Sequence, residues 1–210
     1  MVLAGAAAQW GASLTVRNAH TRDEGELEKV AAAGRGHVSS ISQNKPMATL
    51  RVIKSLLVAT LGGWALLVAY GNIADYNANW QFVQHVLAMD TVFPDNPLKS
   101  RAITDPALQK LAYWSIIATE WAIALVCLYA AWRLFRARAH RAAFVAAKVP
   151  ATIGLFAVWL LYFVGFVAIG GEWFSMWQSS VWNGQQAAQR FLTCGMFVMI
   201  VVLLPEESDD

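Results

Sequence analysis

The sequence predicts an all-α integral membrane protein, a four-helix bundle with a short interfacial helix on its outer face. Three observations carry that expectation. Of 210 residues, 57% are hydrophobic and only 14% are charged, against about 25% charge in soluble domains. Four strongly apolar segments follow one another after residue 46. Ten tryptophans add the side chain that most favours the boundary between water and bilayer.

The first segment is uncharged from Ser55 to Ala74, close to the ~20 residues that cross a ~30 Å hydrocarbon core. The second runs from Leu111 to Trp132 and is interrupted only by Glu120. Its helix is expected to start earlier, with Asp105 as N-cap and Pro106 at the first helical position, where a missing N–H costs nothing. In the third, Val149 to Gly171, Pro150 either opens the helix or kinks one begun near Ala142. The fourth is charge-free only from Phe191 to Leu204, too short to span, so its helix is expected to begin near Gly184 and to carry Arg190 inside it. Pro205 and an acidic tail (Glu206, Glu207, Asp209, Asp210) are expected to end it in water. The predicted spans are thus 55–74, 111–132, 149–171 and 184–204, within a membrane domain of residues 47–205 followed by the tail 206–210. Small residues four apart, Ala59/Gly63 and Ala118/Ala122, are expected to let helices approach closely.

Residues 1–46 read differently. They open on small residues, turn polar and end in the glycine- and serine-containing run before Met47. A secretory signal needs a basic start and an apolar core; here the basic start is missing and the apolar run is weak. A disordered tail or an over-called gene start is the expectation, with Met47 as the start of the membrane domain.

Orientation follows from lysine and arginine near the span ends. Lys45, Arg51 and Lys54 precede the first span, and Arg133, Arg136, Arg138, Arg141 and Lys148 fill the second connection. The first connection balances Lys99, Arg101 and Lys110 against Asp75, Asp90, Asp95 and Asp105, and the third has neither lysine nor arginine before Arg190. Both termini are therefore expected in the cytoplasm, with the 73–110 and 170–186 connections together on the outer face. That places the protein in the bacterial inner membrane, with the lipid bilayer as its first partner.

The outer connections are richer than links need to be. Apolar residues at 82, 83, 86 and 87 have the period of an amphipathic helix, read as lying in the outer interface beside Trp80. Gly170 to Gln186 packs Trp173, Trp177 and Trp182 with Glu172, Gln178, Asn183 and Gln185, where an ordinary turn would use small polar residues. With Asn72, Asp75, Gln84, His85, Asp90 and Arg101 these residues form an expected outer-face platform. Glu172 and the three tryptophans suit an aromatic-walled site for an organic cation, set against a plain interfacial anchor.

Within the spans, Glu120 and Arg190 reach similar depth, about 13 Å from Leu111 and about 9 Å from Gly184 at 1.5 Å per residue. A charge there is costly unless paired or hydrated. The two are expected to form an ion pair or a shared polar network, which either fixes helix packing or serves a proton or ion relay lined also by Tyr113, Thr119 and Gln186.

Several chemistries are disfavoured. Cys127 and Cys194 have no metal or redox spacing. His85 has Met89 as its only nearby companion, so it is read as a structural histidine; no metal site and no cofactor are expected. No basic stripe interleaved with aromatics points to nucleic acid.

From about Met47 to Leu204 the chain resembles a bacterial family of predicted small integral membrane proteins of unknown function. The resemblance rests on Asn72-Ile73-Ala74-Asp75-Tyr76, Asn79 to Asp90 with Gln84-His85-Val86, Arg101-Ala102-Ile103, Tyr113-Trp114, Glu120, Gly170 to Trp177 and Trp182-Asn183-Gly184-Gln185. It implies a four-helix inner-membrane protein and brings no activity with it. The leading expectation is a non-enzymatic accessory subunit whose outer platform binds a partner in a membrane complex. A small transporter or relay using Glu120 and Arg190 is the alternative. An enzyme acting on a lipid or quinone, with His85 and Glu172 as acid–base groups, is the third.

Overall fold

The computed structural model describes residue 29 and residues 47–207, and residues 48–207 belong to one compact unit. Apart from Lys29, residues 1–46 lie outside the described residues, as do residues 208–210, so the expectation of a tail or over-called start is not addressed.

Five helices make up the unit: α1 (Met47–Ala74), α2 (Tyr76–Ala88), α3 (Pro106–Ala137), α4 (Arg141–Trp173) and α5 (Gln185–Leu203). Single 3₁₀ turns occur at Lys99–Arg101 and Met176–Gln178. No strand is present among the described residues. Helices α1, α3, α4 and α5 are each long and apolar enough to cross a membrane, and together they are the four-helix bundle expected. Each predicted span overlaps one of them almost throughout, and the first three helices run well beyond it. A charge-free run ends at the first charged residue, whereas the helix continues until its backbone is capped.

A side-chain cap explains where α3 starts. Asp105 Oδ1 accepts from Ala107 N at 2.7 Å and Leu108 N at 3.4 Å, and Pro106 follows at the first position of α3. Pro150 lies inside α4, which begins at Arg141, so it does not open the helix.

The expected small-residue contacts are not the ones the fold uses. Ala118 and Ala122 are exposed, and a Cβ on Gly63 would meet nothing within 4 Å. Instead α1 and α4 close on α3 around the buried Cys127. A Cβ on Gly62 would lie 3.0 Å from Cys127 Cβ, and one on Gly154 would lie 2.6 Å from Cys127 Sγ. Spacing alone matched two helix faces but did not say which face turned inward.

From Leu160 to Trp173, α4 is wound as a π-helix. Such winding normally occupies a single turn and often marks functional sites. It was not foreseen, because hydropathy is blind to winding. Gly165, Gly170 and Gly171 fall within it, and Tyr162 and Phe166 project from it with ring centroids 5.6 Å apart.

The opposite end of the bundle corrects the reading of the tail. Glu206 is not released into water: its side chain is 6% exposed. Its Oε1 lies 2.6 Å from both Lys54 Nζ and Lys148 Nζ, and its Oε2 lies 3.4 Å from Arg51 Nε. Lys148 and Lys54 also donate to Leu204 O, at 2.6 and 3.2 Å, which satisfies a carbonyl at the end of α5. Burial by itself would raise the Glu206 pKa, but the hydrogen bonds and charges of Lys148 and Lys54 prevail and hold it below the ordinary value. The basic residues that suggested a cytoplasmic end thus also find an anion there, one carried by the chain itself.

Candidate functional site

The site begins where α1 stops. Asp75 adopts φ −117°, ψ 63°, which breaks the helix and frees carbonyls of its last turn. The Tyr113 hydroxyl, arriving on α3, donates to Asn72 O at 3.1 Å and to Tyr76 O at 3.3 Å. That fixes the corner between α1 and α2 against α3.

The same corner aims the Asn72 side chain inward. Its Nδ2 donates to Glu120 Oε2 at 2.5 Å, and its Oδ1 accepts from Asn79 Nδ2 at 2.6 Å. A chain of hydrogen bonds therefore runs from α2 through α1 to α3 and ends on a carboxylate. Glu120 is 4% exposed. Its other oxygen, Oε1, has no hydrogen-bond donor among the described residues. A buried acid whose second oxygen lacks a protein partner is expensive in a membrane segment.

That carboxylate lines a cavity of about 390 Å³, within the size range of small-molecule sites. Its polar wall is Asn72, Asn79, Tyr113, Glu120, Tyr162 and Asn183, and its aromatic wall is Phe82, Phe166, Trp182 and Phe191. A second cavity, of about 280 Å³, adjoins it and is lined almost wholly by apolar residues, among them Leu87, Leu161, Gly165, Ile169, Phe174 and Met176. Phe82, Val83, Ile116 and Phe166 line both.

The expected Glu120–Arg190 pair does not form. No ion pair joins the two residues among those described. The buried positions of α5 include Ala188, Leu192 and Gly195, one face at helical spacing. Two residues on from Ala188 is about 200° round the helix at 3.6 residues per turn, so Arg190 is turned outward and exposed. The sequence reading matched the two residues by their distance along the helices and carried no information on azimuth. Of the other relay residues, Tyr113 reaches the cavity, whereas Gln186 is exposed and Thr119 bonds back to Ser115 O.

The platform residues form an interlock between the 73–110 and 170–186 connections. His85 Nδ1 lies 2.6 Å from Asp90 Oδ2, and its ring stacks on Trp182 at 4.7 Å. Arg101 lies over the Trp173 ring at 4.2 Å and donates to Trp173 O at 3.3 Å. Trp177 meets Phe93 edge-on at 5.9 Å. Gln178 Oε1 accepts from Phe93 N at 3.0 Å and from Asn96 Nδ2 at 2.9 Å. Asn183 Oδ1 accepts from Gln185 N at 3.1 Å, and the Gln185 amide lies against Gly171, where a Cβ would force that amide to move.

Each tryptophan thus faces a different residue of the 85–101 segment, and no common aromatic cage around Glu172 results. Glu172 itself is exposed, as is Asp75, and Gln84 is half-buried. The apolar side of α2 is likewise directed into the protein: Val83 packs with Tyr113 and Ile117, and Val86 packs with Met89, Phe174 and Met176. Sequence reasoning therefore missed Asn79, Tyr162, Phe82, Phe166 and Phe191 as cavity residues. Only Asn79 carried a signal, as an asparagine seven residues after Asn72.

Among the described residues no group of three or more His, Cys, Asp or Glu side chains is arranged to hold a metal ion. Comparison with curated proteins and with solved structures gives no match. A family model does match, over residues 50–205, about three quarters of the chain. Four helices able to cross a membrane and this match agree: the chain belongs to the family described as predicted small integral membrane protein (DUF2165).

Proposed function

We propose that the protein binds a small organic cation in the Glu120 cavity, from the outer side of a bacterial inner membrane. The observation that carries the reading is the Glu120 carboxylate, buried, held through one oxygen by Asn72 and lining an aromatic-walled chamber. A cation is the partner such a group lacks, because it both neutralises the acid and is attracted to ring faces. A proton relay alone has no need of so large a chamber, and Arg190 takes no part. The orientation, with both termini cytoplasmic, is supported by Arg51, Lys54, Arg138, Arg141 and Lys148 gathering at the end opposite the platform.

The test is calorimetric titration of tetramethylammonium into the protein in phosphatidylglycerol nanodiscs, with empty discs as blank. Wild type is expected to bind and Glu120→Gln to bind at least tenfold more weakly. Equal affinity for the two would overturn the reading.

A second reading has its own observation. Trp173, Trp177 and Val181 are 53%, 50% and 71% exposed on a platform whose polar groups are largely engaged with one another. This favours an accessory subunit docking a membrane partner there. Co-purification of one fixed partner in mild detergent, lost on Val181→Asp, supports it; a reproducible monomer counts against it.

A further inference from the structure

The two adjoining cavities differ in chemistry as the two ends of an amphiphile do. The Glu120 chamber carries the acid and the amides. Its neighbour, beyond the Phe82–Phe166 boundary, is lined by Leu161, Ile169, Phe174 and Met176. The rings of that boundary face each other at 6.2 Å and 16°, with no hydrogen bond to break if they part.

Resting on the reading that Glu120 receives a cation, we infer that the ligand is a single-chain cationic amphiphile, its ammonium head at Glu120 and its alkyl tail in the apolar chamber. An ammonium without a tail would leave the second chamber unused; a tail without a charge would leave Glu120 with only the Asn72 amide and no counter-charge. The π-wound part of α4 serves both ends, because Tyr162 borders the head chamber, Gly165 the tail chamber and Phe166 both.

Gly165 offers a clean test. It lines the tail chamber and not the head chamber, and a Cβ there would find only Leu161 Cδ1, at 3.9 Å. Gly165→Leu should therefore fill the tail chamber without displacing backbone. The probes are tetramethylammonium and hexyltrimethylammonium, titrated into protein in phosphatidylglycerol nanodiscs against empty discs. Each methylene buried adds roughly fourfold in affinity, so the hexyl probe is expected to bind wild type more than tenfold tighter. In Gly165→Leu that advantage should vanish while tetramethylammonium binds as before. The comparison of the two probes on wild type holds whether or not the variant folds.

If both probes bind wild type equally, and both need Glu120, the tail assignment is overturned and the cation site stands. If tetramethylammonium does not bind, or Glu120→Gln leaves it unchanged, the cation site itself falls and the amphiphile with it.

Discussion

Replacing Glu206 by glutamine keeps the side chain's shape and removes an anion that Arg51, Lys54 and Lys148 share. The three cationic side chains are 2%, 10% and 11% exposed, so they cannot turn freely to water. Breaking a buried ion pair by neutralising one member costs about 3–5 kcal/mol. Here Leu204 O still accepts from both lysines, which places the expected loss near the lower end, about 3 kcal/mol. For a chain of this size that is a fall in Tm of about 6–12 °C. Thermal unfolding in mild detergent, followed by tryptophan fluorescence, reads it. Glu207→Gln is the control: its side chain is exposed, and its effect should stay within about 0.5 kcal/mol.

The same residue sets a pH dependence. Its folded pKa lies below that of the unfolded chain, near 4.3. The stability it adds is therefore fully present above the unfolded value and is lost as pH falls through the folded one. Wild type should lose Tm in that acid window and Glu206→Gln should lose less. A Glu206→Gln variant that melts with wild type at pH 7 would refute the reasoning, because the cations would then be shown not to need the Glu206 charge.

Other expectations follow from single contacts. Gly154→Val puts carbon where Cys127 Sγ already lies, 2.6 Å from a Cβ. It should cost at least about 1–3 kcal/mol, partly recovered in the double change with Cys127→Ala, as a double-mutant cycle of melting points would show. Asp105→Ala removes the cap of α3 and should cost about 1 kcal/mol, read in the same melt. Asn72→Leu takes away the donor to Glu120 Oε2 and should destabilise by about 1–3 kcal/mol. Glu120→Gln combined with Asn72→Leu should then be less damaging than the sum of the two.

The bundle was legible because hydropathy and the Asp105–Pro106 signal each act within one segment. The site was half legible. Glu120 stood out as an acid in an apolar run, and Asn72, Trp182 and Asn183 stood out as polar or aromatic residues at helix ends. Which of them meet depends on helix azimuth and on the corner at Asp75, neither of which hydropathy encodes. Arg190 was matched to Glu120 by depth, and a rotation of about 200° separates it from the buried face of α5. Glu206 was read as solvated because acidic tails usually are. Its burial depends on Lys54 and Lys148 arriving from two other helices.

The central claim is that Glu120 is a ligand-binding carboxylate inside the membrane domain. A membrane-permeant carbodiimide, reacted with the wild-type protein in nanodiscs and mapped by mass spectrometry, tests it most directly. An adduct on Glu120 that tetramethylammonium suppresses at least severalfold, while adducts on exposed acids such as Glu172 are unchanged, is the predicted result. Labelling of Glu120 that the cation leaves untouched would contradict it.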